Sequence, residues 1–303
     1  MIFQLTILGT AASAPIRERN PSAQVLNVHE RLFLIDCGEG TQMQIRKYGI
    51  KGRRINHVFI SHLHGDHYLG LAGLMFSWHL FGRTEALHIY ANEALKEILD
   101  LQLEASGTKL QYPFVFHALQ PGASETLFED AKVSVQSFPL KHRVPTHGFM
   151  FREVRQPRGI HHEAIRNLDI PFTEFNNIKA GADFTDANGK VHSNASLTHE
   201  PPRCRSFAYC SDTGFHLGIT KFIKGADLLY HEATFMQDMI ANADEKQHST
   251  AMQAATIALK AEAKRLLIGH FSARYDELEP LLDEAQSVFR NTILAEEGMT
   301  VSI

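Results

Sequence analysis

The run Val58-Phe59-Ile60-Ser61 passes directly into His62-Leu63-His64-Gly65-Asp66-His67, which puts four imidazole or carboxylate side chains at the end of an apolar strand. Side chains alternate along an extended chain, so His62 and His64 share one side. Gly65 permits a sharp turn that swings Asp66 and His67 toward the same neighbourhood. Imidazole and carboxylate are the donors that suit zinc and related metals. A lone histidine at a strand end is ordinarily a loop or packing residue. Four donors so close together instead demand a fold that brings further donors to meet them.

The chain repeats this placement. His142 follows Phe138-Pro139-Leu140-Lys141, Asp212 stands in Tyr209-Cys210-Ser211-Asp212-Thr213-Gly214, and His270 ends Leu267-Ile268-Gly269-His270. Each sets a potential ligand just past an apolar strand, and together with the first cluster they complete two metal shells. The chain carries 18 histidines, and position rather than number singles these out. Eleven others, including the adjacent His161 and His162 but not His231 or His248, read as surface or packing residues.

Strand-like runs cover Phe3 to Leu8, Gln24 to Val28, Arg31 to Ile35, His57 to Ile60, Leu87 to Tyr90, Phe114 to His117, Lys132 to Ser137, Ser206 to Cys210, Leu228 to Tyr230, Leu266 to Ile268 and Met299 to Ser302. Helical stretches read over Thr41 to Tyr48, Leu71 to Phe81, Asn92 to Ala105, Thr250 to Ala263, with Ser249 or Thr250 as its cap, and Glu277 to Arg290. Early strands run almost as a meander and later ones alternate with helices, which predicts an α/β chain of mixed sheets covered by helices on their outer faces. One domain spanning 1–303 is expected. Within it the polar, proline-bearing stretch at about 152–205 lacks a long periodic element and reads as an inserted arm.

The His-x-His-x-Asp-His run, the later His142, the Ser211-Asp212-Thr213-Gly214 turn and Gly269-His270 resemble the metallo-β-lactamase superfamily. The resemblance implies an αββα four-layer sandwich with two divalent ions, zinc being the expected one. It places His62, His64 and His142 on one metal, Asp66, His67 and His270 on the other, and Asp212 on both. Asp36, in Phe33-Leu34-Ile35-Asp36-Cys37-Gly38, matches a motif whose acid supports the site from behind the ligands, although a plain turn residue would look the same. Within the superfamily the chain is similar to the ribonuclease Z family. Arg19-Asn20-Pro21-Ser22-Ala23, Asp36 through Gln42, His231-Glu232-Ala233-Thr234 and His248-Ser249-Thr250 carry that narrower likeness.

The family implies an endoribonuclease that removes the 3′ trailer of tRNA precursors. Metal-activated water attacks, leaving a 3′-hydroxyl on the tRNA and a 5′-phosphate on the trailer. Asp66 is the candidate for orienting the nucleophile or taking its proton, His248 for protonating the leaving oxygen, and Glu232 for orienting His248. The family also implies a homodimer whose exosite-like arm grips the tRNA. The arm departs from the family's Gly-Pro-rich segment at Ile170 to Gly181, and Gly9-Thr10-Ala11-Ala12-Ser13 is less glycine-rich than the family's start. The alternative is a hydrolase of the same fold acting on small phosphodiesters or other esters.

The formal charge of −4 excludes a generally basic polyanion binder, so RNA contact would need a local patch. Arg46, Lys47, Lys51, Arg53 and Arg54 form one, which a solvated helix end explains equally well. No apolar run approaches the roughly 20 residues of a membrane span. The start of the chain reads as a first strand, not a signal peptide, and three cysteines without a Cys-x-x-Cys read as free thiols, so the expected location is the cytoplasm.

Overall fold

The computed structural model describes residues 2–16 and 19–303. In chain order the strands are β1 (Phe3–Gly9), β2 (Ala23–Val28), β3 (Arg31–Cys37), β4 (Ile55–Phe59), β5 (Leu87–Ala91), β6 (Phe114–Ala118), β7 (Thr126–Glu129), β8 (Val133–Leu140), β9 (Thr146–Glu153), β10 (Gly159–Ile160), β11 (Phe184–Thr185), β12 (Val191–His192), β13 (Thr198–His199), β14 (Ser206–Cys210), β15 (Leu228–Glu232), β16 (Leu266–Gly269), β17 (Thr292–Leu294) and β18 (Thr300–Ser302). The α-helices are α1 (Thr41–Lys47), α2 (Gly65–Tyr68), α3 (Gly70–Leu80), α4 (Ala94–Ala105), α5 (His162–Asn167), α6 (Phe175–Lys179), α7 (Asn194–Leu197), α8 (Thr220–Ile223), α9 (Ile240–Lys246), α10 (Ala251–Lys260) and α11 (Glu279–Val288). Two compact units emerge: Met1–Glu129, Val133–Arg152 and Arg205–Ile303 form one, and Asp130–Lys132 with Glu153–Cys204 the other.

The larger unit holds two seven-stranded sheets, ordered β18-β1-β2-β3-β4-β5-β6 and β17-β16-β15-β14-β9-β8-β7. The first is antiparallel from β18 to β3 and parallel from β3 to β6. In the second, β14 to β17 run parallel. Alternation along each strand decides the layers. Phe33, Ile35, Phe59 and Tyr90 of the first sheet pack against Phe149, Phe151, Phe207 and Tyr209 of the second. Leu34, Val58 and Ile89 turn the other way, toward Ile45 of α1, Trp78 of α3 and Leu99 of α4. On the far side Ala208, Leu229 and Ile268 meet the alanine face of α10 and Leu281 of α11. The result is a four-layer αββα sandwich, the arrangement that the resemblance implies.

The helix starts follow local chemistry. Thr250 caps α10 with a capping box completed by Gln253, which satisfies two donors that a helix start otherwise leaves unpaired. Strand β9 escapes sequence reading because its interior Gly148 counts against a strand. A Cβ there would lie 2.3 Å from the Phe138 ring and 2.8 Å from the Tyr209 carbonyl, so close packing requires the glycine. The basic patch lies around the turn Gly52–Arg54 that enters β4, at the opposite end of that strand from His62, and Arg54 pairs there with Glu30 at 2.8 Å. Cys37, Cys204 and Cys210 are all free.

The smaller unit, which the sequence reads as lacking a long periodic element, carries the two-residue pairs β10·β13 and β11·β12 and short helices. Ile160, Ile170, Ile178, Phe184 and Leu197 give it a small core of its own. Elements this short cannot display a period of 3.6 or two, which is why their pattern is not visible in the sequence. Among the described residues no helix is long and apolar enough to cross a membrane.

Candidate active site

Strands of both sheets deliver the chemistry. Asp36 lies near the end of β3, His62 to His67 follow β4, His142 follows β8, Asp212 follows β14, Glu232 ends β15 and His270 follows β16. Ends of neighbouring parallel strands are the usual place for ligands on open α/β sheets. The sharp turn expected at Gly65 is in fact the start of the one-turn helix α2, which presents Asp66 and His67 from its first turn. Gly65 has no left-handed backbone, and a Cβ there would meet only the flexible tip of Leu69. Asp36 (φ 55°) and His270 (φ 60°) do adopt the left-handed region, which their buried contacts must hold in place.

Seven side chains converge in two groups. His62 Nε2 lies 3.0 Å from His64 Nδ1, which lies 3.3 Å from His142 Nε2, and Asp212 Oδ2 faces His62 Nε2 at 3.5 Å and His142 Nε2 at 3.8 Å. In the second group His67 Nε2 stands 3.4 Å from both Asp66 Oδ2 and Asp212 Oδ1, and His270 Nε2 stands 3.3 Å from the same two oxygens. Tetrahedral vertices about 2.0–2.1 Å from a central zinc are about 3.3–3.4 Å apart, so these edges match such a shell. The two Asp212 oxygens face one group each. The donors thus form a two-metal centre of the kind zinc takes.

The backs of the rings agree with that fit. His142 Nδ1 donates to the Gln247 carbonyl at 2.8 Å, His67 Nδ1 to Asp36 Oδ2 at 2.8 Å, His270 Nδ1 to Thr234 Oγ1 at 3.0 Å, and His62 Nδ1 faces the Ser61 hydroxyl at 3.0 Å. Each contact fixes which ring nitrogen faces the centre, so that a ring without a proton there offers its lone pair to a cation. His67 Nε2 is buried and has no hydrogen-bond partner, the mark of a donor that awaits a cation. Asp36 accepts also from Tyr209 Oη at 2.6 Å, from Ser61 Oγ at 2.9 Å and from the Ser61 amide at 2.7 Å. The Ser13 amide donates to Asp66 Oδ2 at 2.7 Å.

The charges are arranged to attract a cation. Burial alone would raise Asp212, but His270, His67, His62 and His248 outweigh it and hold the carboxyl well below its usual range. Burial likewise opposes the ionised form of Asp66, and His67 with His270 overcomes it. Burial would lower His67, yet the Asp212, Asp66 and Asp36 carboxylates raise it well above the ordinary imidazole range. By contrast burial, then repulsion from His67, pushes His62 down to about 4, leaving it neutral and able to donate a lone pair.

Beside the two groups stands His248, whose Nδ1 donates to Glu232 Oε1 at 2.9 Å. Burial would lower this imidazole, but Glu232 and then Asp212 raise it to about 9, so it carries a proton at neutral pH. His248 also lies within ligand range of Asp212 and His270. The nitrogen it turns toward Asp212, at 3.9 Å, is Nδ1, the same one that is committed to Glu232, whereas His67, His142 and His270 commit Nδ1 behind them and face the centre with Nε2. Glu232 further accepts from the amides of Thr213 and Ser249 through Oε1, and from the Thr234 amide and hydroxyl through Oε2. The structure thus brings together every site residue named from the sequence. Thr234, Tyr209, Ser61 and the Ser13 amide were given no role by that reading, although all four lie in runs quoted from the sequence.

Residues 3–157 match the family model described as Anti-Pycsar protein Apyc1. A ribonuclease Z from Phocaeicola vulgatus is 45% identical over 301 residues, 99% of this chain and 97% of its own. Among solved structures, human tRNase Z, short form, superposes with a TM-score of 0.73 at 31% identity and covers 99% of each chain. The metallo-β-lactamase fold protein YhfI from Bacillus subtilis superposes at 0.71 with 19% identity over the full length of both, which speaks for the fold alone. The full-length matches extend over His248 and His270, beyond the reach of the family model.

Proposed function

This chain belongs to the ribonuclease Z family of the metallo-β-lactamase superfamily and, through residues 3–157, to the family described as Anti-Pycsar protein Apyc1, and from that membership we propose that it is a metal-dependent endoribonuclease of tRNA 3′ processing. The observation that carries the proposal is the pair of donor groups sharing Asp212, with the Glu232–His248 pair beside them.

In this reading His62, His64 and His142 hold one zinc ion, Asp66, His67 and His270 hold the other, and Asp212 serves both. The bound pair supplies Lewis acidity toward a phosphoryl oxygen and lowers the pKa of a water. Asp66, oriented by the Ser13 amide, aligns the attacking water and takes its proton. As water oxygen joins phosphorus, the bond from phosphorus to the 3′ oxygen breaks, and protonated His248 gives that oxygen its proton. Glu232 keeps the imidazole in place through Nδ1. The tRNA keeps a 3′-hydroxyl and the trailer a 5′-phosphate.

The arm at about 152–205 serves in this reading as an exosite for the tRNA body, supported by its separate small core, and the single catalytic domain spans the rest of 1–303. A homodimer fits the exposed apolar side chains Met43, Leu80 and Phe81 of the α1 and α3 region, and the cytoplasm fits the RNA substrate. Light scattering at working concentration tests the dimer; a monomeric mass would remove it.

Incubation of the zinc-loaded protein with a 3′-extended tRNA precursor and, separately, with a chromogenic phosphodiester tests the function. Trailer release with the stated ends supports it. Turnover of the small diester alone would replace it with a hydrolase of small phosphodiesters.

A further inference from the structure

Thr234 stands in the loop after β15, is buried, and meets three polar groups through one hydroxyl. Its Oγ1 lies 2.7 Å from Glu232 Oε2, 3.0 Å from His270 Nδ1 and 3.3 Å from His248 Nδ1. A carboxylate only accepts, so the hydroxyl proton points to Glu232. The hydroxyl oxygen is then an acceptor toward the two rings. His248 Nδ1 already donates to Glu232 Oε1 at the shorter distance of 2.9 Å, which leaves His270 Nδ1 as the donor to Thr234.

We infer that the Thr234 hydroxyl is a positioning residue that fixes the tautomer of His270 and ties the second cation pocket to the carboxylate that orients His248. This rests on the two-cation reading given above. With Nδ1–H held by Thr234, His270 Nε2 presents its lone pair toward Asp66 Oδ2 and Asp212 Oδ1, each 3.3 Å away. The His270 backbone is left-handed, so the ring has no ordinary helical or strand geometry to aim it, and the Nδ1 contact does so instead. One carboxylate, Glu232, therefore acts on His248 directly and on His270 through a single hydroxyl. Loss of that hydroxyl leaves a buried N–H on His270 without its acceptor while the first group, His62, His64 and His142, keeps its own contacts.

Thr234→Val removes the hydroxyl at nearly constant volume, and Thr234→Ser keeps it. The probe is zinc alone, titrated into metal-stripped protein against a chromophoric chelator that resolves two binding equivalents. Wild type is expected to bind two, Thr234→Val to keep one and weaken the other by about 10- to 100-fold, and Thr234→Ser to recover wild-type binding. Cobalt spectra of the variants should show the same split, with one of the two absorption steps displaced. Two equivalents of wild-type affinity in Thr234→Val would overturn the inference, as would a Thr234→Ser protein as weak as the valine variant, since packing would then be the cause. Fewer than two equivalents in wild type itself would overturn the two-cation reading, and this inference with it.

Discussion

Histidines gather in two places along β4, and the two gatherings differ in the respects that matter for chemistry. Past the end of β4, the imidazoles meet at angles, with His62 and His64 at 79° and His64 and His142 at 82°, and carboxylates lie among them. Near the start of the same strand, His57, His88 and His117 lie almost flat against one another, with interplanar angles of 21° and 20°. There His88 Nδ1 pairs with His117 Nε2 at 3.0 Å and His57 Nδ1 with Tyr90 Oη at 3.3 Å, and Tyr90 stacks on His117. In this ladder two nitrogens pair with each other and a third with a tyrosine hydroxyl, whereas those of the first cluster point at a common centre and are braced from behind. Orientation and neighbouring negative charge, not the number of imidazoles, separate a ligand set from an aromatic stack.

The sharpest way to break that contrast is Asp212→Ala. It should abolish turnover and bring bound zinc well below two equivalents by metal analysis, because one carboxylate faces both groups. Full zinc occupancy in that variant would remove the shared role. His248→Ala should keep both metal equivalents yet slow single-turnover cleavage by about 10²–10⁴, the size of an acid-base contribution. An unchanged rate would take His248 out of the chemistry.

Asp36→Asn sharpens the comparison at the back of the cluster. Asparagine tolerates the left-handed backbone at this position, so the variant isolates the carboxylate that receives His67, Ser61 and Tyr209. Zinc affinity by chelator competition should fall by about 10- to 100-fold. Affinity within experimental error of wild type would make Asp36 a turn residue only.

The smallest effect belongs to the ladder. Replacing both His88 and His117 by Leu should leave zinc content and cleavage unchanged. Burial lowers the pKa of both rings, and His88 further lowers that of His117. The folded state thus resists protonation that the unfolded chain accepts near pH of about 6.5, so their contribution is intact above that pH and is lost as pH falls through it. The double variant should therefore lose less melting temperature than wild type on acidification from about pH 7.5 to about pH 5.5. An identical loss in both proteins would show that the ladder does not titrate against folding.

The candidate ligands could be read in the sequence because they follow apolar runs and belong to residue types with few other reasons to be there. The layers were legible for the same reason: alternation in Phe33, Leu34 and Ile35 assigns each side chain to one face or the other. Hydroxyls gave no such signal. Tyr209 meets Asp36 across 173 positions of chain, and nothing in Tyr209-Cys210-Ser211 announces it. Arg83 is similar: fully buried, it donates to the carbonyls of Ile55, Glu85 and Ala86, a purely structural use that its composition class does not suggest. The Gly65 turn failed as an expectation because permissive backbone is a capacity, and a single helical turn needed none of it.

The donors to each cation group come from both sheets, with His62, His64, Asp66 and His67 following β4 and His142, Asp212 and His270 following strands of the other. An unfolded chain cannot assemble such a set, so ion capture and the docking of the two halves are one equilibrium viewed from two sides. Mass action then makes free zinc a clasp: at a concentration about 100 times Kd it adds about 2.7 kcal/mol per ion to the stability of the folded chain. Cellular zinc supply would set not only how many molecules turn over but how many persist.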